Sequence, residues 1–266
     1  KVILEIPTYP YDLEMRTPKT YLAYLRDKAN RQRLYETVDR IADLSGTDAI
    51  FGIETLQIIN GVDLSRISPR KAKSKNRQRI DVICVAYFAL WHGIDRFIEG
   101  MREYYQKDCD TDVVLHLVGA GNEIPKLKRM VSDSGLEEHI IFHGERDGVQ
   151  LDAIYDFCDY ALASLGLHRI GISRASTLKT REYLAKGIPF IYSGSIDVFE
   201  NEWLQYCIQV SADDSPIDID RFVDECIKVS NEVGQSKLVN VIRDYAARNV
   251  SVEAAMKNVV EYIKVG

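Results

Sequence analysis

Residues 176–191 read STLKTREYLAKGIPFI, and two charged side chains in that run, Lys179 and Glu182, stand three residues apart where a helical pattern begins. Positions i and i+3 share a helix face. A cation placed there can meet phosphate oxygens. A carboxylate suits a vicinal diol, because both of its oxygens accept hydrogen bonds. The other reading is a surface ion pair worth about 0.2–0.5 kcal/mol. The loop ahead of the helix carries Gly166 and Gly171, the cations Arg169 and Arg174, and the hydroxyls of Ser173, Ser176 and Thr177. A loop of that composition, running through Thr177 and Leu178 into a helix N-terminus, is suited to an anion.

Two other loops have similar chemistry. In LVGAGNEIPKLKRM, Gly119 and Gly121 lie between a strand pattern and a helix pattern. Glycines there either let a ligand approach the backbone or simply make a tight turn. In ALWHGIDRF, Gly93 could admit a phosphate and His92 could donate to it, or the histidine is packed against Trp91.

These loops need a frame to hold them. IDVICVA (80–86), VVLHLVG (113–119), HIIFHG (139–144), YALAS (160–164), IPFIY (188–192) and CIQV (207–210) are apolar runs of strand length. Segments with apolar residues at helical spacing separate them, such as Ile94, Phe97, Ile98 and Met101. The alternation specifies a doubly wound parallel sheet covered on both faces. Ligands of such sheets bind outside the carboxyl ends of the strands. That directs attention to the loops at 87–93, 119–123, 144–150 and 164–177.

The first 79 residues differ. A strand at 2–6 precedes a turn-rich aromatic stretch, and a polar helix is expected from about 18 to 44, with Pro18 in its first turn. The basic run SPRKAKSKNRQR (68–79) reads as a solvated connection or as a contact for an anionic membrane surface. Two amphipathic helices are expected in 236–264. Lys1 opens directly onto the apolar run VILEIP, so an upstream part is expected to be absent.

The chain has 266 residues, 46% of them hydrophobic, and a net charge of −6, which suits a globular protein and not one that binds nucleic acid through excess charge. Five scattered cysteines without Cys/His metal spacing point to a reducing, cytoplasmic setting and to no metal.

Six motifs stand in order: NGVD (60–63), WHGIDRFIEG (91–100), LHLVGAGNEIPKLKRM (115–130), IIFHG (140–144), LDAIYDFCDYALAS (151–164) and LKTREYLAKGIPFI (178–191). Over about residues 53–200 the chain resembles the GT-B glycosyltransferases of the large retaining family 4, often labelled group 1. The variant with Trp-His-Gly and Leu-Lys-x-x-Glu-Tyr-Leu-Ala is similar to enzymes that build surface polysaccharides. The resemblance implies two Rossmann-like domains. Residues 63–250 would form the nucleotide-sugar donor-binding domain. Residues 1–62 with the terminal helix 251–266 would form part of the acceptor-side domain, and NGVD would link the two. Glu182 would bind the ribose, Thr177 and Leu178 would lie near the diphosphate, and the 142–147 segment, with His143 and Gly144, would lie near the base.

Three features depart from the family pattern. Arg174 stands where the family has the first glutamate of Glu-x7-Glu, which contacts the donor sugar. Tyr87 and His92 stand in the loop that usually carries a diphosphate-binding Arg/Lys pair, so Arg169, Arg174 or Lys179 would supply that charge. Too few residues precede NGVD for a complete N-terminal domain, which would leave the catalytic residues outside this chain. The function implied is hexosyl transfer, with retention, from a nucleotide-diphosphate sugar to a glycan or lipid-linked acceptor. The donor is then a substrate and no cofactor is expected, with peripheral contact at the inner face of the membrane. The alternatives are a noncatalytic nucleotide-sugar-binding subunit needing a partner and a sugar-nucleotide epimerase of the same architecture.

Overall fold

The computed structural model describes residues 1–7, 9–12, 19–71, 78–200 and 202–265. The chain divides into two compact units, Lys1–Gly61 with Val250–Gly266, and Val62–Asn249.

The first unit is built on a four-stranded sheet. Strand β1 (Ile3–Ile6) is followed by helix α1 (Tyr21–Asn30), a 3-10 turn (Arg31–Glu36), and strands β2 (Arg40–Asp43), β3 (Ala49–Ile50) and β4 (Ile53–Gln57). The sheet order is β1-β2-β4-β3, with β1, β2 and β4 parallel and β3 antiparallel to β4. The helix expected from 18 to 44 is therefore too long. Helical structure ends at Glu36, and Arg40–Asp43 pairs with β1 in the register Ile3 to Arg40. Val38 and Ile41 bury themselves with Ile6, Ile50 and Ile53, and that burial overrides the helical propensity of the polar residues before them. On the other side of the sheet Ala42 and Ile58 pack with Val259 of the C-terminal helix Lys257–Lys264. The expected start at Pro18 and residues 72–77 of the basic run lie outside the described residues.

The second unit holds the six-stranded parallel sheet expected from the sequence. Its strands are β5 (Arg79–Val85), β6 (Asp112–Val118), β7 (Ile140–Gly144), β8 (Tyr160–Leu162), β10 (Phe190–Ser193) and β12 (Ile208–Val210), in the order β12-β10-β8-β5-β6-β7. The strands β9 (Arg174–Ala175) and β11 (Ser195–Ile196) pair separately. Helices α2 (Ile94–Tyr104), α3 (Ile124–Asp133), α4 (Gly148–Tyr155), α5 (Leu178–Lys186), α6 (Ile219–Val233) and α7 (Gln235–Asn249) complete it. One face of the sheet packs Val82, Cys84, Leu115, Leu117 and Leu162 against Phe97 and Ile98 of α2 and Phe222 of α6.

The unit's first strand, β5, lies between its second, β6, and its fourth, β8. The connection leaving β5 runs toward β6, and the chain leaving β8 runs the opposite way toward β10. The carboxyl ends of β5 and β8 consequently splay apart into a crevice, the place where doubly wound sheets take their ligands.

Candidate functional site

Helix α5 is pinned above that crevice. Its residue Tyr183 is fully buried, and its hydroxyl donates to Leu162 O of β8 at 3.0 Å while accepting from Val85 N–H of β5 at 3.2 Å. The phenol closes the gap where the two strands part. Arg181, also fully buried, ties down the start of the helix. Its guanidinium donates to Thr177 O at 3.0 Å, to Ser176 Oγ at 3.2 Å and to the Asp197 carboxylate. Gly187 ends the helix in the left-handed conformation. A Cβ there would stand 2.7 Å from Val239 of α7, so only glycine lets the two helices meet.

The first turn of α5 is thereby fixed, and its own polar groups are left open. Thr177 is the N-cap residue but its side chain caps nothing. The N–H groups of Leu178 and Lys179 have no acceptor among the described residues. Lys179 lies one turn before Tyr183, on the face toward the crevice. Its stem is half-buried, but its ammonium nitrogen is enclosed and makes no hydrogen bond. Burial pushes the Lys179 pKa down. An enclosed cation without a counter-charge is costly. It marks a place where an anion would be bound strongly.

Glu182 is one turn further along. Tyr155, the last residue of α4, donates its hydroxyl to Glu182 Oε1 at 3.1 Å. Burial raises the Glu182 pKa, and the Tyr155 bond partly offsets that. The second carboxylate oxygen makes no bond among the described residues. His92 is buried in the 3-10 turn Leu90–His92 after β5. Its Nδ1 lies 3.0 Å from Ala89 N and 3.3 Å from Ala89 O. Burial, then the nearby charge of Lys179, lowers its pKa to about 4. It is a neutral imidazole beside an ammonium.

The other cations of the 164–177 loop are already engaged. Arg169 donates to Asp95 at 2.8 Å and to Asp214 at 2.6 Å. Arg174 forms a two-pronged pair with Glu200, with Nη2 to Oε2 at 2.9 Å. Of Arg169, Arg174, Lys179 and Arg181, Lys179 alone lacks a carboxylate among the described residues.

The glycines have a steric explanation. A Cβ on Gly93 would lie 2.7 Å from the Gly166 nitrogen; one on Gly119 would lie 2.0 Å from Ala86 O; one on Gly121 would lie 2.2 Å from Phe88 O. They let the crossing loops pass within van der Waals contact, and so shape the crevice from beneath. Gly144 has a positive φ of 68°, a Cβ there would meet Arg146 Nη1 at 3.9 Å, and its carbonyl accepts from Gly119 N–H at 2.8 Å. His143, just before it, is joined to His116 of β6 at 3.0 Å.

Sequence reasoning named Lys179 and Glu182 but not their supports, Arg181, Tyr183, Tyr155 and Asp197. Arg181 reads as a solvated helix residue, and only the three-dimensional position of Asp197 makes it a buried anchor. The i, i+4 spacing of Lys179 and Tyr183 was the one available signal.

Residues 79–227 match the family described as Glycosyl transferases group 1. The chain belongs to this family. Among solved structures it is similar to Anabaena HepE in complex with UDP, with a TM-score of 0.66 and 15% identity over 99% of this chain and 72% of that one. Sucrose-phosphate synthase from Thermosynechococcus elongatus gives a TM-score of 0.63 and 16% identity over 99% of this chain and 67% of that one. A glycosyltransferase from Rickettsia africae gives 0.62 and 12% over 99% and 76%. At such identities the likeness shows the fold, which is α/β of the GT-B type. A curated relative, the GDP-mannose-dependent alpha-(1-6)-phosphatidylinositol monomannoside mannosyltransferase of Mycolicibacterium smegmatis, is 33% identical over 89 residues. The matched stretch is 31% of this chain and 23% of that protein, so it spans under a quarter of the curated relative. In this group 1 chain, no helix among the described residues is long and apolar enough to cross a membrane.

Proposed function

We propose that Val62–Asn249 binds a nucleotide-diphosphate sugar at the β5–β8 crevice, and that the protein transfers the sugar, with retention, to a glycan or lipid-linked acceptor. The observation that carries this is the enclosed, unpartnered ammonium of Lys179 beside the uncapped start of α5. A diphosphate supplies the missing counter-charge and accepts from the open N–H groups. Glu182, held by Tyr155, offers its free oxygen to the ribose hydroxyls. Neutral His92 offers its Nε2 for a further hydrogen bond. Support comes from the relatives: Anabaena HepE has been solved with UDP-glucose, and the mycobacterial relative is named as GDP-mannose-dependent.

As the sugar's bond to the diphosphate breaks, negative charge grows on the leaving oxygen. Lys179 and the helix start are already in place to stabilise it, which is how preorganised electrostatics lowers a barrier. The residues 1–61 with 250–266 are read as part of the acceptor-side domain. A cytoplasmic enzyme working at the inner membrane face suits a lipid-linked acceptor in surface-polysaccharide synthesis.

Arg174, where the family pattern has a donor-sugar glutamate, is tied to Glu200. This favours a second reading, a donor-binding subunit that needs a partner for transfer. Calorimetry with UDP, GDP, ADP and dTDP tests the site, and incubation with the matching labelled sugar nucleotides tests turnover. Binding with turnover supports the enzyme; binding without it supports the subunit. No binding by any diphosphate to folded protein would remove both.

A further inference from the structure

Three polar side chains cross adjacent strands of the parallel sheet in a line. Asp81 of β5 and His116 of β6 are buried, and His143 of β7 is half-buried. His116 Nε2 lies 2.9 Å from Asp81 Oδ1, and His116 Nδ1 lies 3.0 Å from His143 Nε2. Arg79 donates to the same Asp81 oxygen at 2.8 and 3.0 Å, which holds that group as a carboxylate. The two imidazoles stack with centroids 5.2 Å apart, and Phe157 packs edge-on against His116 at 5.0 Å. Aliphatic side chains would cover this part of the sheet at lower cost in desolvation.

With His116 neutral, the chemistry of the groups sets the direction of every bond. An ionised carboxylate only accepts, so His116 carries its proton on Nε2. A neutral imidazole has one N–H, so His116 Nδ1 is an acceptor and His143 Nε2 must donate to it. His143 Nδ1 is then an acceptor, and it has no partner among the described residues. Burial, with His116 and Arg146 nearby, lowers the His143 pKa, which favours its neutral form. His143 is the penultimate residue of β7, at the end of the sheet where ligands of this fold bind.

We propose that Asp81 and His116 are positioning residues that set His143 Nδ1 as a hydrogen-bond acceptor for a ring N–H of the donor's base, and so select the base; this rests on the nucleotide reading above. Uracil and thymine carry a hydrogen on N3 and guanine carries one on N1. Cytosine N3 and adenine N1 have lone pairs instead, which would meet the lone pair of His143. The relay therefore favours UDP over CDP among pyrimidines and GDP over ADP among purines, whichever ring size the site takes.

The test is calorimetry at pH 8 with those four diphosphates. Wild-type protein should favour the N–H-bearing base of the accepted ring size by about tenfold or more, the scale of one unsatisfied hydrogen bond. His143→Phe should bring the ratio close to one. His116→Phe keeps a ring on Phe157 but frees His143 to take either tautomer, so it should tighten CDP or ADP specifically. A merely structural role would instead weaken all four alike, and that outcome overturns the proposal. Nitrogen-15 NMR of the wild-type protein gives an independent check should the His116 variant fail to fold. It should show His143 protonated on Nε2, with the Nδ1 resonance moving on addition of UDP or GDP. Protonation on Nδ1 overturns the relay. If diphosphates bind with no preference between partners of one ring size, the relay falls while the site stands; if none binds, both fall.

Discussion

Lys179 and Glu182 occupy one face of the first turns of α5, yet among the described residues they do not pair with each other. Glu182 accepts from Tyr155 at 3.1 Å, and the Lys179 ammonium is enclosed without a partner. A surface ion pair would have left both side chains satisfied in solvent. Instead one charge is oriented by a phenol and the other is held buried at a cost, which is the arrangement expected where a ligand completes the site.

Glu182→Gln should keep the fold and weaken nucleoside binding about tenfold or more, because a charge-assisted hydrogen bond contributes roughly 1.5–3 kcal/mol. Tyr155→Phe removes only the hydroxyl that orients the carboxylate. Its effect should be smaller but in the same direction, with a stability loss of about 1 kcal/mol. Titration of both variants with a nucleoside lacking phosphates is the measurement. Wild-type affinity in Glu182→Gln would exclude a ribose role.

Arg181→Met should be among the most damaging substitutions in this unit. It leaves the buried Asp197 without its cation, and breaking a buried pair on one side costs about 3–5 kcal/mol. It also removes one of the bonds to the Thr177 carbonyl, at 3.0 Å, leaving that from Thr180 Oγ1 at 2.8 Å, so the start of α5 should loosen. Urea denaturation reads the first effect, and hydrogen exchange at residues 177–180 reads the second. A variant as stable as wild type would mean that Arg181 does not anchor the helix.

His92 should make stability depend on pH. Its folded pKa is lowered from 6.5 to about 4 by burial and by Lys179. Between those values the unfolded chain binds a proton that the folded chain refuses, so stability rises with pH across the window. The contribution is fully present above pH 6.5 and is lost as the pH falls toward 4, by at most about 3 kcal/mol. In His92→Gln the drop in urea midpoint from about pH 7 to about pH 5 should shrink. An unchanged drop would place the titration elsewhere.

The sheet was legible because each strand is a short apolar run followed by a helix with its own period. The change of pattern lies at residue 79, and a boundary near residue 62 was implied only by the resemblance of NGVD to a family linker. The over-long N-terminal helix shows the limit: Val38 and Ile41 carry a strand signal too short to read until β1 is beside them. In the site, Lys179 and Glu182 could be named from their spacing. The roles of Gly93, Gly119 and Gly121 could not, because a glycine that makes way for Gly166, Ala86 or Phe88 looks the same in sequence as one that makes way for a phosphate. Arg169 and Arg174 looked available, and only the fold brings Asp95, Asp214 and Glu200 to them.

Lys179→Met tests the central claim most directly. Methionine keeps the unbranched stem and removes the enclosed charge, so the variant should unfold at a higher temperature than wild type, since burying an unpaired ammonium is unfavourable. Calorimetry of UDP and GDP, each alongside its bare nucleoside, should show diphosphate affinity falling about tenfold or more while nucleoside affinity stays the same. A Lys179→Met protein that binds the diphosphate as tightly as wild type would contradict the account.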